Sequence, residues 1–322
     1  MAGQEALLSV DEQDLLFETV GANTAVLRDQ RILDASRGNV GRLEQQVEAT
    51  RQRLSVGEAT RTDASQAEAR LIGAFAERAQ AQANLGNSVA TYERVVGTRP
   101  QVLQTAPLPE GLPAQAEAAL ALAENHPEVV AARARVAQAQ ADVSASIARL
   151  LSSVDLRGDV GYVDEPSQFT DWERTASLGL QVTVPIYQRG AAGSRLREAR
   201  RVVEQRRREL DDALRIAAEG VTSALEDLRS ADFRVRSFRD QVQAYERALD
   251  GLRQELLVGT RSLTDVLDAE DDLFGAQVSL ERATRDRAVA AYGLKQAIGQ
   301  LRGTDFGFQA PPPPPRGWRI GG

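Results

Sequence analysis

The chain has 322 residues with 46 acidic against 39 basic side chains, and its net charge of -7 leaves no basic footprint for nucleic acid. It holds no cysteine and one histidine, His126, so disulfide and thiolate chemistry are excluded and a metal centre built on Cys or paired His is not expected. Aromatic residues are only 5% while Ala, Arg, Glu, Gln and Leu dominate, a balance that favours long helices over an aromatic-rich globular core.

Residues 5–55 read as one helix. Leu7, Val10, Phe17, Val20, Leu27, Leu33, Val40, Leu43 and Val47 recur at spacings of three, four and seven. A return helix over 61–97 is dense in alanine, which lets helices approach closely. A helix of about 50 residues is about 75 Å long and needs a lateral partner along its length.

Pro100, Pro107, Pro109 and Pro113 mark a linker over 101–113. The segment 114–152 is expected to be helical, with Asn125-His126-Pro127-Glu128 opening an alanine-rich helix that lasts to about Leu151. From Val154 the period changes to two. Val154, Leu156, Val160 and Tyr162 alternate with Asp155, Arg157 and Asp159, and after a polar-leaning stretch over 164–174 Ala176, Leu178, Leu180, Val182, Val184 and Ile186 alternate with polar residues. This predicts a β-hairpin with one apolar and one polar face over 153–190, with strands long enough to cross a bilayer as tilted barrel strands. A soluble hairpin packed on helices has the same alternation. The surrounding rods, however, offer no globular core to receive the apolar face.

Val184-Pro185-Ile186-Tyr187-Gln188-Arg189-Gly190 closes the hairpin and leads into a helix over 193–256, strongly basic at Arg195–Arg208. A last helix covers about 262–301. The tail 302–322 carries five prolines at 311–315 and reads as a disordered or polyproline segment, with Trp318 left unassigned. No apolar run approaches the 18 or so residues of a membrane-spanning helix. The start, Met1-Ala-Gly-Gln-Glu-Ala, has no secretory signal and is expected to be mature, truncated or cytosolic.

The sequence repeats itself at an offset of 202 residues. Leu54-Ser55-Val56-Gly57-Glu58-Ala59-Thr60-Arg61-Thr62-Asp63 returns as Leu256-Leu257-Val258-Gly259-Thr260-Arg261-Ser262-Leu263-Thr264-Asp265, and Glu68, Leu71 and Gly97 return as Glu270, Leu273 and Gly299. Each copy is a turn between two long helices. Gly57 and Gly259 are expected as left-handed C-terminal caps, and Thr60 and Ser262 as N-caps answered by Asp63 and Asp265 three residues on. Such a cap contributes about 1 kcal/mol. Helix capping is the plain reading of both aspartates. Asp268, one turn beyond Asp265 on the same face, is plainly read as solvated.

Long helix, Gly-x5-Asp turn, long helix, twice, with a hairpin ending Val-Pro-Ile-Tyr-Gln-x-Gly, resembles the TolC-like outer-membrane channel proteins over nearly all of residues 5–301. The resemblance implies a mostly α fold with a small β part: antiparallel helical hairpins over 1–100 and 191–301 forming a periplasmic tunnel, and a membrane hairpin contributing to a trimeric β-barrel. It also implies a homotrimer in outer-membrane lipid. A periplasmic adaptor and an inner-membrane ABC or proton-driven pump are the implied partners, with no cofactor and no enzymatic activity. The wording Arg61-Thr62-Asp63…Leu71 looks most like members serving type I protein secretion, with small-molecule efflux also open. The resemblance places the gate at the turns, where Arg261 would bridge to Asp63 beside Thr62. Asp265 and Asp268 would form rings of negative charge at the tunnel mouth. Leu256 stands where the family has a gating aromatic.

The family has two hairpins per protomer and this chain has one, so a trimer would offer six strands rather than twelve. The expectation is therefore a truncated or misassigned start, with a non-functional remnant or a soluble coiled-coil scaffold as the competing readings. Nothing supports an enzyme: there is no phosphate-binding glycine loop and no nucleophile with a positioned base.

Overall fold

The computed structural model describes residues 2–101, 103, 107–167, 170–184 and 190–306. Six helices and one hairpin follow in order: α1 (Ala2–Ser55), α2 (Arg61–Val96), α3 (Ala116–Ala123), α4 (Pro127–Ala148), β1 (Ser153–Ser167), β2 (Thr170–Thr183), α5 (Ala191–Leu257) and α6 (Leu263–Ala297). A short 3-10 turn, Gly303–Phe306, follows. The mostly helical fold with one small sheet is the one expected. The helix read as opening at Asn125-His126-Pro127-Glu128 is α4, which starts at Pro127 because proline lacks the N–H an uninterrupted helix requires, and a separate short helix, α3, precedes it within 114–152. Two features differ from the sequence reading. The polar-leaning stretch 164–174 is largely strand, with Val163 opposite Glu173 and Asp164 opposite Trp172 before a register shift. The first part of the tail is ordered, and Phe306 stacks on Tyr292 at 5.2 Å between ring centroids. Phe169, residues 185–189, the five prolines and Trp318 lie outside the described residues.

The chain divides into two units. One comprises Met1–Ala6 and Glu128–Arg215 and holds α4, the hairpin and the first part of α5. Its β1 and β2 pair antiparallel from Ser153 opposite Thr183 to Asp164 opposite Trp172. Its buried residues are small, among them Val129, Ala131, Ala132 and Ala139 of α4.

The other unit comprises Leu7–Pro127 and Ile216–Gly322. Here the helices are packed by four clusters strung along them. Val40, Leu43 and Val47 of α1 meet Ala67 and Ala74 of α2 and Leu263 and Leu267 of α6. Leu249 of α5 packs on Val266, Ala269 and Leu273 of α6. Further along, Val221 and Leu225 of α5 join Leu294 and Ile298 with Ala119 and Ala123 of α3. Val20, Tyr292 and Leu301 form the last cluster. On α2 the buried apolar residues are alanines, Ala67, Ala74 and Ala81, as their density predicts. Burying each large aliphatic side chain contributes roughly 1.5–3 kcal/mol, which is how rods of this length gain stability from lateral contact.

Candidate functional site

Both turns close in the same way. Gly57 and Gly259 adopt φ 85° and 79°. Gly57 N–H donates to the Leu54 carbonyl at 3.1 Å and Glu58 N–H to Arg53 at 2.8 Å; in the second copy Gly259 donates to Leu256 at 3.2 Å and Thr260 to Glu255 at 3.0 Å. This paired pattern satisfies two carbonyls at each helix end. Three residues later the caps form. Asp63 Oδ2 accepts from Thr60 N–H at 2.9 Å, and Asp63 N–H donates back to Thr60 Oγ1 at 3.1 Å. Ser262 N–H donates to Asp265 Oδ2 at 2.9 Å, and Asp265 N–H donates to Ser262 Oγ at 3.2 Å. The Ser262 backbone N–H, followed by its hydroxyl, holds the Asp265 carboxyl below the usual carboxylate range.

The remaining gate candidates are placed differently from the family pattern. Arg261 Nε donates to Glu255 Oε2 at 3.1 Å, and no bond joins Arg261 to Asp63 among the described residues. The reason is local: the Asp63 oxygen Oδ2 already serves its own cap, and Glu255 stands in the last turn of α5 beside the glycine. Asp268 is not merely solvated. Arg70 of α2 donates to Asp268 and, at 3.3 Å, to Asp271. One turn nearer the tip, Thr264 donates to Gln66 Oε1 at 3.0 Å. These bonds link α2 directly to α6. Thr62, the counterpart of Thr264 in the first copy, is exposed.

The most buried charge of the described residues was not foreseen. Glu270, 1% exposed, accepts from Arg253 at 2.7 Å on Oε1 and from Arg42 at 3.1 Å on Oε2. Its two oxygens thus tie α5 and α1 to α6. The repeat held the clue. Adding 202 takes Arg51 to Arg253 as well as Glu68 to Glu270, and Arg51 donates to Glu68 at 2.8 Å. The pair is the same in both copies, but Glu68 is 46% exposed at its side chain and Glu270 only 2%. Arg42 has no counterpart in the other copy, where Ala244 stands.

The hairpin carries a second surface. Its register sets Val154 opposite Val182, Leu156 opposite Leu180, Gly158 opposite Leu178, Val160 opposite Ala176 and Tyr162 opposite Arg174, all on one face. That face is bare: Val160 is 91% exposed, Leu178 79% and Leu156 70%. Asp155, Arg157 and Asp159 line the other face, where Ser177 donates to Asp159 at 3.5 Å. A contiguous apolar sheet face of this kind marks a surface meant for lipid or for another chain. No cluster of His, Asp or Glu among the described residues is arranged to hold a metal, and no helix is long and apolar enough to cross a membrane. The arrangement provides long rods, capped turns and an apolar ribbon.

A family model for outer membrane efflux proteins matches residues 119–300. The outer membrane efflux protein BepC of Brucella suis is 35% identical over 309 residues, covering 95% of this chain and 68% of that protein. The alkaline protease secretion protein AprF of Pseudomonas aeruginosa is 28% identical, over 94% of this chain and 66% of that protein. Among solved structures, the outer-membrane channel OprN superposes with a TM-score of 0.77 at 22% identity, covering 93% of this chain and 69% of that one. The chain thus spans about two thirds of the length of these proteins.

Proposed function

We propose that this chain, which belongs to the outer membrane efflux protein family, forms part of a passive TolC-like export duct in the outer membrane and carries out no chemistry of its own. The observation that carries this reading is the bare apolar face of β1 and β2. A ribbon apolar on one face and polar on the other is what a barrel wall requires, with lipid outside and water within. Three copies would assemble, their hairpins joining in the barrel and the helical hairpins 1–100 and 191–301 forming the periplasmic tunnel. The linker 101–113 and the segment 114–152 would lie between them, and the tail 302–322 outside. The family membership supports a periplasmic adaptor and an inner-membrane pump as partners, and either protein secretion or small-molecule efflux as the traffic.

The gate is assigned to the tips. Asp265 and Asp268, with Asp63 and Thr62 on the first turn and Arg261 on the second, would ring the tunnel entrance and favour cations there. Arg70, bound to Asp268 and Asp271, is the latch that this chain offers between its two helical hairpins. The reading is tested by conductance of the purified full chain in planar bilayers. A cation-selective conductance is expected, with selectivity reduced in Asp265→Asn/Asp268→Asn. Leu156→Arg, which sets a charge on the lipid face at a cost of about 2–4 kcal/mol near the bilayer midplane, should sharply reduce insertion. Protein that leaves bilayers silent, or a Leu156→Arg variant that inserts as well as the wild type, would overturn it.

A further inference from the structure

The passage from the hairpin to the long helix is strongly basic, and a passive duct gives that charge no role. Residues 195–208 contain seven arginines (195, 197, 200, 201, 206, 207 and 208) against Glu198 and Glu204, in a chain whose net charge is -7. Ion pairing along α5 is partial. Arg201 pairs with Glu204, Arg206 with Glu209, Arg215 with Asp212 and Arg229 with Glu226, each within one helical turn, while Arg207, Arg208, Arg236, Arg239 and Arg247 have no ion pair among the described residues. Over the first ten residues of α5, next to the hairpin, no arginine is paired. Arg195, Arg197 and Arg200 are exposed, and no ion pair joins them to any acid among the described residues. The other leg of the hairpin agrees: Arg149, just past α4 and four residues before β1, is also exposed and without an ion pair among the described residues.

This placement is unfavourable within the protein itself. The first turn of a helix carries partial positive charge and prefers acids, yet α5 has no acid in its first turn and Arg195 follows directly after it. Repulsion among the arginines adds to the cost. An external anion would relieve both. The first ten residues of α5 cover about 15 Å of helix axis, and α5 begins eight residues after β2 ends at Thr183. If the hairpin lies in the bilayer, those guanidinium groups stand at the level of the headgroups of the leaflet it enters, where a planar guanidinium matches a phosphodiester through two parallel hydrogen bonds.

We propose that Arg149, Arg195, Arg197 and Arg200 form a basic collar that binds anionic phospholipid headgroups of the leaflet at the helical end of the hairpin. The proposal rests on the reading of the hairpin as membrane-inserted. The collar anchors the depth of the hairpin, and its arginines hold lipid rather than acids of their own chain. Each basic side chain at an anionic surface is worth about fivefold in partitioning, so the four together are worth roughly several hundredfold at low salt, and less as salt screens them.

The test is partitioning of the detergent-purified full chain into vesicles, read by flotation. One set is pure phosphatidylcholine and the other carries about one third phosphatidylglycerol, the collar being matched to a densely anionic leaflet. The wild type should enter both and prefer the anionic set roughly several hundredfold at low salt, the preference falling as salt is raised. R149Q/R195Q/R197Q/R200Q should enter phosphatidylcholine as the wild type does and lose most of the preference. R215Q/R229Q, with the same kind of charge removed further along α5, should keep it. A wild type that enters both vesicle sets equally would overturn the collar while leaving the inserted hairpin standing. Protein that enters neither, or that salt strips from the anionic set, would overturn both. A quadruple variant that keeps its lipid preference but dissociates into smaller assemblies by light scattering would show that the arginines face another copy, and would also overturn the proposal.

Discussion

The two Arg–Glu pairs of the repeat allow a controlled experiment on burial. Arg51–Glu68 and Arg253–Glu270 have the same residue types, the same spacing and nearly the same length, 2.8 and 2.7 Å. They differ in surroundings: the Glu68 side chain is 46% exposed and the Glu270 side chain 2%. An exposed pair contributes about 0–1 kcal/mol, so Arg51→Ala should cost no more than about 0.5 kcal/mol. Removing all partners of a buried carboxylate costs about 3–5 kcal/mol. Arg253→Ala removes one of two, and Arg42 remains at 3.1 Å. Arg253 is itself 40% exposed, so part of its attraction is screened already. The expected cost is about 2 kcal/mol for Arg253→Ala and about 3–5 kcal/mol for Arg42→Ala/Arg253→Ala. Hydrogen exchange read by mass spectrometry suits this comparison, because a chain of two units need not unfold in one step. In peptides covering 249–257 and 263–273, Arg253→Ala should raise the opening equilibrium about thirtyfold, which is 2 kcal/mol at about 1.4 kcal/mol per tenfold. Arg51→Ala should change its own turn by less than about threefold. Equal effects in the two turns would refute the reasoning.

Other outcomes follow from the same geometry. Gly259→Ala meets no neighbour and loses only the ease of its positive φ, a cost of about 1 kcal/mol. Gly299→Ala adds to that a Cβ placed 2.7 Å from Pro127 Cδ and 3.1 Å from His126 Cα. Thermal unfolding should therefore drop far more for Gly299→Ala, and equal shifts would count against the close packing there. Asp265 should titrate, by carbon-13 carboxyl NMR, below the ordinary aspartate midpoint of about 3.9. Its folded pKa is lowered, so its contribution is complete above the unfolded value and is lost as pH falls through the folded one. Ser262→Ala should move the midpoint upward, and an unmoved midpoint would remove the cap as the cause. In planar bilayers Arg70→Ala should raise conductance more than Arg261→Ala, since Arg70 links α2 to α6 while Arg261 binds Glu255 just before its own turn. The reverse order would favour the family's Arg261 latch.

What was legible in the sequence was local. A glycine that must take positive φ, a hydroxyl three residues before an aspartate, and alternation at period two each state their geometry within a few residues, and the structure has all three. The length of the hairpin was less legible, because residues 164–174 are polar-leaning in sequence and the hydrophobic pattern does not set their register. The start of α4 was visible in Asn125-His126-Pro127-Glu128, while the short helix α3 before it carries no side-chain cap that would mark it. Beyond the caps of Asp63 and Asp265, the contacts of the site candidates were not legible. Whether Asp268 is solvated or bound to Arg70, and whether Arg261 reaches Asp63 or Glu255, depends on side chains brought together from up to 198 residues away.

The difference between the two copies follows from how many helices each second arm must face. Arm α2 meets α1 and α6 through alanines, and most of its surface stays open, with only Ala67, Ala74, Ala81 and Ser88 buried. Arm α6 packs on α1, α2 and α5 near its tip and on α3 and α5 further along, and twelve of its residues are buried. A carboxylate at the same repeat position therefore sits in water on α2 and in a helical interface on α6. There it has two arginine partners, Arg253 of α5 and Arg42 of α1. Asp268 and Asp271 on the outer side of α6 then engage α2 from a helix already fixed by its partners. If the tips move apart to open a duct, the weak exposed bonds of Arg70 are the ones to break, and the three-helix tie at Glu270 is the point that stays fixed. Hydrogen exchange in the Arg70→Ala protein should accordingly rise in residues 61–70 and leave 249–257 unchanged, whereas a rise in both would mean that the second hairpin is not the fixed one.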